Sequence, residues 1–299
     1  MSRLSRRQFA GIFAALRAYG SPGGAFRLAL CNKTFEKKPF ADMCRLTRET
    51  GFTGMEIAPY TLAEDPASLP ASSLAAMRTT MSSEGIMFVG LHSVLNAPPG
   101  MSVTTPDAIV RAKSWDYFRR LIDVCAGLGD NGTMVFLGNP QRKTVAGATV
   151  PEAVARIKEG LSEVAPAAAA HHVTIMIEPL APHLCDVINT LDQAMGVVRA
   201  VNSPAVQTMF DTHNTAGETA PLDQLIRKYY RYIRHIHFNE LDGGPPGTGN
   251  FDFKTVMQTF KDLGYKRWIS VEAFRFEPDG VTVARESSGF IRRVEAGLK

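Results

Sequence analysis

Four short phrases of the chain end in side chains that can hold a cation or move a proton. They are VTIMIEPL with Glu178, VQTMFDTHN with Asp211, IRHIHFNE with His237 and RWISVEAF with Glu272. Each is an apolar run that carries its polar group at or near its end. A carboxylate is seldom buried unless it is paired or bound to a metal, so a run leading into Glu178 either surfaces there or aims that residue at something. Three carboxylates gathered in a semi-enclosed site would repel one another strongly, and a divalent cation is the simplest relief. Oxygen-rich ligation with one imidazole suits Mn²⁺ first, with Mg²⁺ or Co²⁺ as alternatives; Zn²⁺ in structural sites prefers sulfur and nitrogen. A single Glu or His ending a strand is usually just solvated or hydrogen-bonded. The set of four carries the expectation.

Such a set needs a scaffold that brings distant strands to one rim. Eight apolar runs qualify as strands: FRLALCN, GMEIAPY, IMFVGLHS, GTMVFLGN and the four above. Between them lie stretches of helical periodicity, among them FADMCRLTRETG, SSLAAMRTTMSSEG, SWDYFRRLIDVCAGLG and FKTVMQTFKDLG, several ending on the helix-stopping Gly. Strands alternating with helices give βαβ units and a parallel sheet, and the near-continuous apolar strands fit a sheet covered on both faces or closed on itself. Eight units predict an α/β fold, a single-domain (β/α)8 TIM barrel over residues 25–299, with residues 1–24 as a lead segment. Catalytic groups in that architecture sit at the C-terminal strand ends. Those ends also offer Glu56, His92, His213, Asn214 and Glu240 as candidate substrate contacts.

The bulk numbers narrow the field. Hydrophobic content of 45% with 21% charged residues describes a globular chain rather than a disordered one. A net charge of +4 with scattered basic residues gives no stripe for nucleic acid, so none is expected as a partner. No apolar run is long enough to cross a bilayer, and no membrane partner is expected. The four cysteines, Cys31, Cys44, Cys125 and Cys185, share no close spacing, which argues against a disulfide framework or zinc finger. Reduced thiols fit a cytoplasmic protein, the favoured location. The alternative is export, because Ser5-Arg6-Arg7-Gln8-Phe9 has the form of a twin-arginine signal, although Arg17 interrupts the apolar core such a signal needs.

Taken together, IEPL, FDTHN, HIHFNE and SVEAF in this order resemble the metal tetrad of the xylose isomerase-like sugar isomerase/epimerase family. That superfamily of TIM barrels includes ketose 3-epimerases, hydroxypyruvate isomerase and the endonuclease IV (AP endonuclease 2) group. The likeness extends over most of the chain beyond about residue 25, through INTLDQA and PPGTGNFDF. It implies a divalent ion held by Glu178, Asp211, His237 and Glu272, with Glu178 and Glu272 also catalytic on opposite faces of the substrate. The implied reaction is isomerisation or epimerisation of a keto-sugar or related polyhydroxy carbonyl compound, by proton transfer through a metal-stabilised enediolate. The partner is then a small carbohydrate, and relatives of this kind are often homo-oligomers.

The sequence also departs from the ketose 3-epimerase pattern. Where those enzymes carry a sugar-gripping Glu six residues beyond the strand-five Glu, this chain has Leu184; where they carry an Arg six residues beyond the strand-seven His, it has Gly243. Both losses argue against a free ketohexose. Two other activities follow from the same resemblance. A lyase or deglycosylase of 3-oxo-glycosides would share the first proton abstraction and then expel a group β to the carbonyl. An endonuclease IV-like nuclease would need extra histidine ligands, including an Asp-x-His pair after strand seven, where this chain reads GTGNFDF.

Overall fold

The computed structural model describes residues 24–136 and 138–299, so the SRRQF motif and nearly all of the lead segment lie outside the described residues. The eight apolar runs form β1 (Arg27–Cys31), β2 (Gly54–Ile57), β3 (Met87–Leu91), β4 (Thr133–Phe136), β5 (Thr174–Ile177), β6 (Val206–Asp211), β7 (Ile233–Phe238) and β8 (Trp268–Val271). All pair in parallel and in sequence order, and β8 closes on β1, from Arg27 beside Trp268 to Leu30 beside Val271. The expected (β/α)8 barrel is the observed one.

Helices wrap the barrel: α1 (Phe40–Glu49), α2 (Ala71–Ser83), α3 (Ala108–Leu128), the short α4 (Asn139–Arg142), α5 (Val150–Ala170), α6 (Leu191–Val201), α7 (Leu222–Tyr229), α8 (Phe253–Asp262) and α9 (Gly280–Ala296). Their starts are set by capping side chains that satisfy otherwise orphaned N–H groups. Asp107 accepts from the amides of Ile109 and Val110 at the head of α3, and Asp279 does the same for Val281 and Thr282 at α9. Thr149 and Glu152 form a reciprocal capping box on α5.

Alternation along each strand divides the residues between two environments. Phe136, Phe210 and Phe238 face the helices, where Phe136 lies 6.1 Å from both Trp115 and Phe118 of α3. Phe210 meets Phe260, and Phe238 meets Phe253, both on α8. The other parity turns into the barrel. There Val135, Met176 and Met209 form a small apolar cluster separate from the main core. One step further along the same parity come Glu178 and Asp211, so the pleat that buries methionine in the barrel also lifts the acids to its rim.

Gly90 on β3 permits one of the tighter approaches in the barrel wall: a Cβ there would stand 2.2 Å from the Thr133 carbonyl oxygen of β4. Gly90→Ala is therefore expected to force β3 off β4 and destabilise the fold by about 1–3 kcal/mol, measured as a lowered midpoint of urea unfolding.

Candidate metal centre and active site

The barrel register places Asp211 beside His237 and sets Glu178 and Glu272 directly after the last residues of β5 and β8. One ligand atom from each of Glu178, Asp211, His237 and Glu272 lies within 4.8 Å of every other, and all four residues are buried. Metal-ligating distances of about 2 Å would put one ion in reach of all four. A fifth buried group turns the imidazole. Glu56 Oε2 sits 3.0 Å from His237 Nε2 and 2.9 Å from His235 Nε2. A carboxylate only accepts hydrogen bonds, so both Nε2 atoms carry the proton and His237 presents Nδ1 to the acids. That Nδ1 lies 2.9 Å from Glu272, 3.6 Å from Glu178 and 3.9 Å from Asp211. Yet neither it nor Glu178 Oε1 makes a hydrogen bond of acceptable geometry, although both are buried. Donors that converge without bonding one another fit a shared cation, and three carboxylate oxygens with one imidazole are the ligands of a hard or borderline divalent ion.

The charge states point the same way. Burial raises the Asp211 carboxyl well above the usual carboxylate range, and Glu178 adds to the rise. Burial opposes a charged His237, but Glu56 and Glu272 together hold the imidazole well above its ordinary value. The same burial works against an ionised Glu272, and Lys33 and His237 overcome it, leaving that carboxyl well below its ordinary value. Without a cation, protons on Asp211 and His237 relieve the crowding.

The two glutamates are fixed through their backbones as well. Arg142, fully buried, donates from Nη1 to the Glu178 carbonyl at 2.7 Å. Asn239 donates to the Glu272 carbonyl at 3.0 Å while its own oxygen accepts from the His213 amide at 2.9 Å. Lys33, in the 3-10 turn Asn32–Phe35 that follows β1, donates to Glu272 Oε1 at 2.7 Å. Asp211 accepts from the His213 amide and the Asn214 side chain, and Asn214 also accepts from the Ala181 amide.

A cavity of about 670 Å³ opens over this cluster, and Glu178, Glu272, His92, His213, Asn214 and Phe274 are among its lining residues.

The scan against protein families matches residues 44–294 to the "Xylose isomerase-like TIM barrel" model. The chain belongs to this family.

Among its relatives are a ketose 3-epimerase of Arthrobacter globiformis, 24% identical over 76% of this chain and 75% of the relative, and an L-ribulose 3-epimerase of Mesorhizobium japonicum, 24% identical over 77% and 74%. Among solved structures, the apo form of an E. coli 3-keto-D-glucoside 4-epimerase superposes with a TM-score of 0.77. It is 17% identical, and the match covers 90% of this chain and 99% of that one. The family and the site together make the protein an enzyme.

Three of the five residues expected to touch substrate do line the cavity: His92, His213 and Asn214. Two do not. Glu56 is wholly buried beneath His237, so the carboxylate read as a rim contact orients the histidine from below. Glu240, 2% exposed, accepts from the amides of Gly247 and Phe251 and braces the loop after β7. Lys33, Arg142 and His235 were not singled out by the sequence. Only the parity of His235 with His237, two residues apart in HIHF, held a usable signal.

Calorimetric titration with Mn²⁺ checks this assignment. Asp211→Asn is expected to abolish measurable binding. Glu56→Gln, which removes no ligand, is expected to weaken it by about 10- to 100-fold.

Proposed function

We propose that the protein is a divalent-metal-dependent epimerase or isomerase of a keto-sugar, with Mn²⁺ the ion of first choice. The observation that carries the reading is the placement of two carboxylates from strands three apart, Glu178 and Glu272, in one tetrad at the mouth of a cavity. When bound, the ion supplies positive charge to the carbonyl and a neighbouring hydroxyl oxygen of the substrate, which lowers the cost of removing the proton on the carbon beside them.

The chain's own groups do the rest. Glu272 is held ionised and aimed by Lys33, so it is the base in the direction that begins with a proton leaving the carbon toward β8. Glu178 approaches from β5 and gives a proton to the carbon from its side. In the reverse direction the roles exchange. With Glu178 entering the forward direction protonated and Glu272 keeping the proton it took, delivery to the same carbon from the other face inverts that centre; delivery to the neighbouring carbon, with the hydroxyl proton passing to the former carbonyl oxygen, moves the carbonyl. His92 is kept neutral by burial, its pKa lowered to about 4, and neither ring nitrogen has a hydrogen-bond partner. It can therefore offer one donor and one acceptor to substrate hydroxyls.

Incubation with keto-sugars in deuterated water, with and without added Mn²⁺, tests the reading. Metal-dependent deuterium incorporation beside the carbonyl is expected. Glu178→Gln and Glu272→Gln should each abolish it, while wild-type exchange in either variant would remove that residue from the proton path. Lys33→Met should lower the exchange kcat by about tenfold or more and leave the far-ultraviolet circular dichroism unchanged.

A further inference from the structure

The active-site cavity is larger and less polar than a lone sugar ring requires. At roughly 30 Å³ per water, its 670 Å³ corresponds to about twenty waters. A hexose has only about twelve non-hydrogen atoms, and part of it must sit at the carboxylates. The lining is also uneven. Among the described residues no lysine or arginine contributes to it, and its only carboxylates are Glu178 and Glu272. The two cations beside those acids are already engaged, Lys33 with the Glu272 carboxylate at 2.7 Å and Arg142 with the Glu178 carbonyl at 2.7 Å. Beyond an ion at the tetrad, a phosphorylated or carboxylated substrate would find no free counter-charge among the described lining residues.

Ser93, Asn96 and Gln141 add neutral polar groups, and much of the remaining wall is apolar and comes from loops. Leu95, Pro99 and Met101 follow β3, and Leu180 and Leu184 follow β5; Phe274 follows β8. Leu184 stands six residues beyond the end-of-strand Glu178, so it belongs to the loop layer rather than to the ring of ligands. Phe274 is 49% exposed, one of the few large hydrophobics left open to solvent among the described residues. It lies beneath the Lys33 ammonium at 4.0 Å and beside the His213 ring at 5.3 Å. An aromatic ring held from one side and open to a cavity is a platform for a flat apolar group.

We infer that the substrate is a neutral keto-glycoside whose aglycone is apolar and ring-sized, the sugar meeting the tetrad and the aglycone meeting Leu95, Met101, Leu184 and Phe274. This inference deepens the keto-sugar reading above and rests on it for the sugar end alone. Leu184 and Met101 set specificity by touching the aglycone, not the reacting carbon.

Binding separates this claim from the chemistry. The full chain, with Mn²⁺ supplied, is titrated calorimetrically with phenyl and methyl β-D-glucopyranosides, which bear no carbonyl and report binding without turnover. Phenyl glucoside is expected to bind at least about tenfold more tightly than methyl glucoside. Leu184→Asp should bring the ratio close to one. Met101→Asp, on a different loop, should do the same, and so covers the case in which the first variant fails to fold. Equal affinities in the wild type, binding of neither glycoside, or a ratio unmoved in a folded variant would overturn the inference. A failure of the deuterium exchange with the phenyl preference intact would instead sink the proposed reaction and leave the aglycone wall standing.

Discussion

Three carboxylates and an imidazole share a space in which their ligand atoms are no more than 4.8 Å apart. Like charges about 4 Å apart cost on the order of 4 kcal/mol per pair at an effective dielectric near 20, and burial strips away the water that would soften this. The chain answers with counter-charges of limited reach. Lys33 balances Glu272, and protons held on Asp211 and on His237 balance part of the rest. A divalent ion answers all three acids at once, and metal binding at such a site releases the protons it replaces. The surrounding structure follows from keeping that crowd together. Closed pairing of eight strands fixes the spacing, Glu56 turns the histidine from below, and Arg142 and Asn239 hold the backbone carbonyls of the two glutamates.

The architecture separates what is shared from what is particular. The inward face of β5 to β8 supplies the tetrad, the part of the site on which the proposed proton transfer rests. The loops above it supply the walls, and these differ from the ketose 3-epimerase pattern at Leu184 and Gly243. Gly243 in this structure has a φ of 77° and its added Cβ would press on Phe274 at 2.7 Å. The absence of a side chain at Gly243 is thus tied to the position of the Phe274 ring.

Much of this was legible in the sequence because the strands are short, apolar and separated by helical periodicity. The tetrad was legible because four chemically matched residues recur at successive strand ends. Helix starts were less so: α3 begins at Ala108 rather than near Ser114, where the capping aspartate Asp107 was the overlooked signal. Glu56 and Glu240 misled because residue type at a strand end does not report height. Strands in a closed barrel are staggered, so Glu56 near the end of β2 lies under His237 near the end of β7. Lys33 and Arg142 reach the site from the turn after β1 and from the short helix after β4, across contacts of 239 and 36 residues in sequence. No local pattern marks such pairs.

The most direct measurement is a crystal structure of the protein soaked in Mn²⁺, with an anomalous difference map at the manganese edge. The account requires one strong peak touching Glu178, Asp211, Glu272 and the Nδ1 atom of His237, each at about 2.0–2.4 Å. A peak centred instead on Cys31 and Glu56, or a tetrad with no peak at full soak, would contradict it.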